Sequence, residues 1–564
     1  MHTSIINTWR VALAVASLIA GVSSGLAQDR TQGRSMVISQ YGIVAAEHPI
    51  AARAGTAMLE SGGNAIDAAV AANAAMGLVA PMMAGIGGDL FAIVYDAKSK
   101  KAYGLDASGW APKALTPEFL IARNIRYMPY TGIHSATVPG AVAGWDAMLR
   151  RFGNKTFADV LAPAIAYAKA GFPVTEIFGD DWDGSADNLL SNAEAARIYL
   201  PGRRVPQVGE IFRNPDLAGS LEAIAQGGSD AFYKGAIARR ILDTSAKLGG
   251  TMAADDLADF AAEWVEPITT DYRGWTVYEM PPSEQGIAAL MMLNIMSAAP
   301  LRQWGPNSVP ALHMEIEAKK LAYADMIRYV GDPRFAKVPV KGMISAEYGR
   351  ERGKLVDPAK ANCAVGPGTP PYKGSDTTYL STVDRDGNMV SLIQSNFGLF
   401  GSAVGVEGGG FVLHNRGALF TLELGHPNQL AGRKRPLHTI IPALMTRGDV
   451  RIAFGIMGGF NQAQAHAQFV SNVVDHGMNI QAAMEAPRFS KASFAGCDLY
   501  IESRVPASVR DGLAKLGHQL RVVGDFSQAV GGGQAVMRDT AGINYGASDP
   551  RKDGQAIAEM PALR

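Results

Sequence analysis

Between Gly63 and Val79 the chain reads GNAIDAAVAANAAMGLV, with apolar or small residues on every face of a helical period. A helix with no polar side has no face for water, so the pattern predicts a helix buried all round that ends before Pro81. Gly85-Ile86-Gly87-Gly88-Asp89 then turns into Leu90-Phe91-Ala92-Ile93-Val94-Tyr95, an apolar, partly β-branched run that predicts a buried strand. From roughly Ala141 to Leu355 amphipathic helical patterns dominate, as at Ala164 to Ala170 and His313 to Val330, so this portion is expected to be helix-rich. Past Pro367-Gly368-Thr369-Pro370-Pro371, whose prolines favour extended, exposed chain, strand-like runs take over. Thr378 to Val383 and Met389 to Gln394 flank Asp384-Arg385-Asp386-Gly387-Asn388, where Asp-Gly supplies hairpin dihedrals. Ile440 to Thr446 and Val450 to Gly455 form a second such pair about Arg447-Gly448-Asp449. Gly458-Gly459 then opens a predicted helix from about Asn461 to Asp475, stopped by Gly477. Helices before and after, with strands between, predict a layered α/β protein, and the pattern leaves doubly wound and sandwich arrangements both open.

Length adds that a chain of 564 residues holds two domains or one unusually large layered domain. Lys+Arg and Asp+Glu are equal at 52 each, so no strong field favours nucleic acid or an anionic membrane as partner. Arg10 precedes an apolar run from Val11 to Val22, and small residues lead to Gly25-Leu26-Ala27 before Gln28. This predicts a leader over residues 1–27, a mature chain in the periplasm or outside the cell, and no membrane contact after leader removal. The run is shorter than the ~20 residues of a spanning helix, which disfavours a retained anchor. Cys363 and Cys497 have no metal-ligand neighbours, so neither a zinc site nor a disulfide-built scaffold is supported; a pair and two separate thiols both remain open. No metal or cofactor is expected. His134, His414, His426, His438, His466 and His476 are scattered without an HExxH-like spacing, and only His438 is a candidate for the site. Gly85 to Gly88 and Gly405 to Gly410 lack the Lys-Ser/Thr ending of a phosphate loop.

The candidate chemistry lies at Asp376-Thr377-Thr378-Tyr379, between the Pro/Gly-rich stretch and a predicted strand. A Thr hydroxyl needs a base to attack at neutral pH. If Thr377 became the first residue of a chain, its own α-amine, with a reference pKa of about 7.7 to 8.0, would supply that base. Ser/Thr runs at strand starts are more often structural, so the surrounding residues decide.

Those residues resemble γ-glutamyltransferases across nearly the whole mature chain. The resemblance is carried by Ser61 to Val70, Ala84 to Gly88, Thr137 to Trp145, Thr377-Thr378-Tyr379, Val383 to Asn388, Arg435-Pro436-Leu437, Met457-Gly458-Gly459, Glu485 to Phe489 and Tyr545 to Arg551, in that order. It implies a four-layer αββα sandwich of the N-terminal-nucleophile hydrolase type and a proenzyme cut once between Asp376 and Thr377. Residues 28–376 and 377–564 would then stay together as large and small subunits. It places the nucleophile at Thr377, a hydroxyl that orients it at Ser395, and the oxyanion amides at Gly458 and Gly459. Amides just ahead of a helix direct donors and a partial positive dipole at developing charge, which fits that last role.

The resemblance fails where the family grips the charged ends of a γ-glutamyl group. Ser108 stands at the position of its Arg, Leu419 at that of its Asp, Phe397 at that of an Asn, Arg416 at that of a Gln, and His438-Thr439 replaces a Ser-Ser pair. Unpaired buried charges cost several kcal/mol per ion, so glutathione is expected to bind poorly. The segment between Leu419 and Arg435 looks shorter than the lid loop of typical bacterial members, which predicts a more open cleft. Phe397 and Leu419 would make it more apolar, and Arg416, if turned inward, would hold a carboxylate placed differently. The leading expectation is an autoprocessed Thr amidohydrolase acting on a small amide, with transfer to an amino acid acceptor possible. A true γ-glutamyl hydrolase or transferase with a rebuilt pocket, a cephalosporin or glutaryl acylase, a small-acid amidohydrolase and an uncut periplasmic binding protein are the alternatives.

Overall fold

The computed structural model describes residues 32–365 and 376–561, and the fold below is that of residues 35–564, which form one unit. The predicted leader and the Pro-rich stretch at 367–371 lie outside the described residues. In chain order the strands of two sheets are β1 (Val37–Ser39), β2 (Ile43–Ala46), β3 (Asp89–Asp96), β4 (Lys101–Ala107), β5 (Glu263–Val265), β6 (Ile268–Tyr272), β7 (Trp275–Glu279), β8 (Asp376–Val383), β9 (Met389–Phe397), β10 (Ala443–Arg447), β11 (Val450–Ile456), β12 (Gly533–Arg538), β13 (Asn544–Ser548) and β14 (Gln555–Ala558). One seven-stranded sheet runs β14-β2-β8-β9-β3-β4-β5 and the other β1-β13-β12-β11-β10-β7-β6. Every neighbouring pair in both is antiparallel.

The period of two along each strand sorts side chains into layers. In β3, Leu90, Ala92 and Val94 face a first helical layer, while Phe91, Ile93 and Tyr95 fill the space between the sheets. In β11, Ile452, Phe454 and Ile456 face a second helical layer and Ala453 faces inward. Both faces are therefore dry, which is why these strands read as unbroken apolar runs. The first layer includes α1 (Pro49–Glu60) and α2 (Ala65–Val79); the second includes α3 (Gly286–Met296), α4 (Val309–Tyr329) and α5 (Gln462–Val474). The result is the four-layer αββα sandwich.

Every residue of α2 is buried, as its pattern demands, and Asn64 caps it by accepting the Ile66 and Asp67 amides while Asp67 returns to the Asn64 amide. The helix expected at Ala164 starts earlier, at Phe157, because Thr156 and Asp159 form a capping box. The helix-rich middle portion also contains β5, β6 and β7, which lie at or next to the sheet edges and alternate with exposed polar residues such as Thr269. Ile440 to Pro442 is not strand; pairing begins at Ala443, after a proline that has no amide to donate.

Candidate functional site

Thr377 sits near the start of β8, fully buried. Asp376 pairs with Phe397 and Thr378 with Gln394, so Thr377 alone faces both Ser395 and Asn396 across a bulge. Asn396 is drawn out of the ladder: its amide donates to Met83 O at 2.7 Å and its side-chain amide to Pro81 O at 3.0 Å. Ser395 stays, with its Oγ 3.2 Å from Thr377 Oγ1, and accepts the Phe397 amide at 2.8 Å. Phe397 itself takes the left-handed backbone at φ 75°, a conformation uncommon for a bulky residue.

The opposite wall is the turn that feeds α5. Gly458 and Gly459 have φ of 125° and 58°, open to glycine at no steric cost. Gln285 Nε2 donates to Gly459 O at 2.7 Å and also to Thr439 O, and the Tyr323 hydroxyl donates to Phe460 O at 2.5 Å. Gln462, the first residue of α5, accepts the Ile441 amide at 3.0 Å and directs its Nε2 at Thr377 Oγ1, 3.5 Å away.

Arg416 is fully buried and turned inward. Its Nη1 donates to Thr439 Oγ1 at 2.7 Å, its guanidinium lies 4.5 Å from the Phe397 ring centroid, and its Nε is 3.5 Å from Asp89 Oδ2. Hydrogen bonds and ring contacts thus form a closed circuit from Thr377 through Ser395, Phe397, Arg416, Thr439, Gln285 and the Gly459 turn to Gln462.

Asp89 anchors the floor. It pairs with Ser395 in the β3–β9 register, accepts the Gly109 amide at 2.9 Å, and lies 2.8 Å from His438 Nε2 and 3.2 Å from His414 Nδ1. Burial alone would raise its pKa, but the charge and hydrogen bond of His414 and the hydrogen bond of His438 hold it well below the carboxylate range. Burial, reinforced by the Arg416 charge, pushes His438 down to about 3 against the pull of Asp89. His438 is therefore neutral at pH 7, and facing a carboxylate its Nε2 carries the proton. The buried Arg416 guanidinium faces the Asp89 carboxylate.

Ser108 is buried outside this circuit, its hydroxyl spent on Asp106 Oδ1 at 2.6 Å. Leu419 is half-buried, packs toward the second helical layer, and its carbonyl accepts from Asn428 Nδ2 at 2.7 Å. Sequence reasoning missed Asp89, His414, Gln285 and Gln462. The histidines read as scattered do converge: His414 and His438 meet on Asp89, and His313, Glu317 and His518 meet in a second buried group. In that group the Lys320 ammonium lies 2.5 Å from Glu317 Oε1, so the chain itself supplies the cation.

This layered fold, with a hydroxyl network and a glycine turn at the head of its central strands, defines an N-terminal-nucleophile hydrolase, a class of amide hydrolases and acyl transferases. The gamma-glutamyltranspeptidase family profile matches residues 51–559. The chain is 36% identical over 530 residues to the glutathione hydrolase-like YwrD proenzyme of Bacillus subtilis, covering 92% of this chain and 99% of that protein. It is 34% identical to the oxamate amidohydrolase proenzyme of Klebsiella pneumoniae, covering 92% and 98% of the two. The crystal structure of a cephalosporin acylase from Bacillus halodurans superposes with a TM-score of 0.89 at 40% identity, covering 96% of this chain and 99% of that one. The chain belongs to the gamma-glutamyltranspeptidase family.

Proposed function

We propose that this enzyme cuts itself between Asp376 and Thr377 and then hydrolyses a small amide through Thr377. The observation that carries the reading is the placement of Thr377: alone on its strand opposite a bulge, its hydroxyl between Ser395 Oγ and the side-chain amide that opens α5. In the first event Thr377 Oγ attacks the Asp376 carbonyl carbon and the peptide C–N bond breaks. The hydroxyl proton passes to the nitrogen, and water splits the resulting ester into a carboxyl group and a free Thr377.

In turnover the liberated α-amine takes the hydroxyl proton as Oγ attacks the substrate amide. The Gly458 and Gly459 amides receive the tetrahedral oxyanion. The proton then goes to the leaving amine, and water, or an amino acid acceptor, releases the acyl group from Oγ. Ser395 orients the nucleophile. Residues 1–27 act as the leader, so the enzyme works in the periplasm or outside the cell, as two subunits from one precursor.

For the acyl pocket, the departures from a glutamate grip favour an acylase or small-acid amidohydrolase over a glutathione hydrolase. Ser108 is tied to Asp106, Leu419 brings no charge, His438 is neutral and Arg416 already faces Asp89. A zwitterionic acyl group would leave an ion without a partner, which costs several kcal/mol. With protein whose smaller fragment begins at Thr377 by N-terminal sequencing, γ-glutamyl-p-nitroanilide should turn over at least about 100-fold more slowly than the best member of a panel of cephalosporin side-chain, glutaryl and oxamate amides. Efficient γ-glutamyl turnover would show that another group grips the amino acid and would favour the glutathione hydrolase reading.

A further inference from the structure

Cys363 and Cys497 are joined as a disulfide, with their Cα atoms 4.9 Å apart and their positions separated by 134 in sequence. The two cysteines stand on opposite sides of the proposed cut, so the site of cleavage lies inside the loop that this bridge closes. We infer that the bridge is a covalent junction between the large and small subunits, which makes the processed enzyme one molecule and not a dissociable pair. The inference rests on the cleavage proposed above.

The surroundings are built from both sides of the cut. Ala361 donates its amide to Leu516 O at 2.7 Å, and His313 Nδ1 lies 2.8 Å from His518 Nε2 while its Nε2 meets Asp357 O at 2.8 Å. Lys320, on α4, donates to Asn362 O at 2.8 Å and lies 3.8 Å from Cys497 Sγ. Residues 357–363 are thus clasped to residues 497 and 516–518, and Cys497 is buried. A bridge in this place does two different jobs in the two forms. In the precursor it closes a long loop and restrains the unfolded chain. After cutting the loop is open, and the bridge instead holds two polypeptides at an effective concentration that dilution cannot lower.

Its formation moves two electrons and two protons from the thiols to an oxidant disulfide, a reaction of oxidising compartments outside the cytoplasm. That is where the predicted leader would send the chain, and an exported enzyme at low concentration is the one that would lose activity if its subunits could part.

The test is gel electrophoresis of the denatured, purified enzyme, alkylated to block exchange, with and without dithiothreitol. The expected result is one band at the mass of the uncut chain without reductant and two fragments with it. Cys363→Ser, at the less buried partner, should give two fragments under both conditions, and Cys497→Ser the same. Two fragments without reductant from the unaltered enzyme would overturn the junction while leaving the cleavage reading intact. One band under both conditions would overturn the cleavage reading and the junction with it.

Discussion

Thr377→Ala is expected to leave the purified chain uncut and to lower amide hydrolysis by at least about 10⁴-fold. The reason is that one residue would supply both parts of the machinery, the attacking oxygen before and after the cut and the α-amine base once it is free. Other nucleophile pairs depend on a His that survives loss of the hydroxyl; here the site's His438 is neutral and engaged with Asp89, and it offers no substitute. The substitution removes a methyl and a hydroxyl from a buried strand position, a cost of about 1 to 2 kcal/mol that leaves the sandwich folded. Thr377→Ser keeps the oxygen and should still be processed, more slowly. A gel of the two variants beside the unaltered protein, with an amide assay on each, reads the result. Normal cutting of the alanine variant would remove Thr377 from the chemistry.

The second large effect is expected at Asp89→Asn. The carboxylate faces the buried Arg416 guanidinium at 3.5 Å and takes His438 Nε2 at 2.8 Å and the Gly109 amide at 2.9 Å. Asparagine keeps the shape and loses the charge, so Arg416 is left as a buried cation without its carboxylate. Breaking a buried ion pair from one side costs about 3 to 5 kcal/mol. Urea denaturation should show a loss of that size. Asp89→Asn, Arg416→Met together should recover part of it, because the stranded charge is gone. A single-variant loss below about 1 kcal/mol would mean that Asp89 does not compensate Arg416.

The residues that local pattern reached are those whose environment is set by their own element. The helix from Ala65 to Val79, the strand around Leu90 to Tyr95, the hairpin turning at Asp384 to Asn388 and the helix after Gly458-Gly459 each declare themselves by period and punctuation. Thr377, Ser395 and the glycine pair needed the family resemblance, since a Thr at a strand start has no distinctive spacing. Asp89 was within reach as the one charge between a glycine run and an apolar strand. Its meaning was not, because its partner His438 is 349 residues away. Gln285, just ahead of α3, and Gln462, which opens α5, reach the site from the starts of helices that look like ordinary core elements. Strands β5 to β7, at or next to the sheet edges, escaped because a half-exposed strand of Thr, Asp and Trp has a weak apolar alternation. The cysteine pairing needed a distance, which only the folded chain provides.

If the chain is cut where proposed, the strand order in the first sheet bears on which event would come first in the life of the precursor. Strands β8 and β9, from beyond residue 376, occupy the gap between β2 and β3, from before it. A chain ending at 376 would have to hold β2 and β3 about 14 Å apart with nothing between them, leaving two bare edges open to other molecules. Neither side of residue 376 owns a complete sheet, so the uncut polypeptide would be the template on which both are shaped, and the proposed scission a finishing step that a preassembled interior permits.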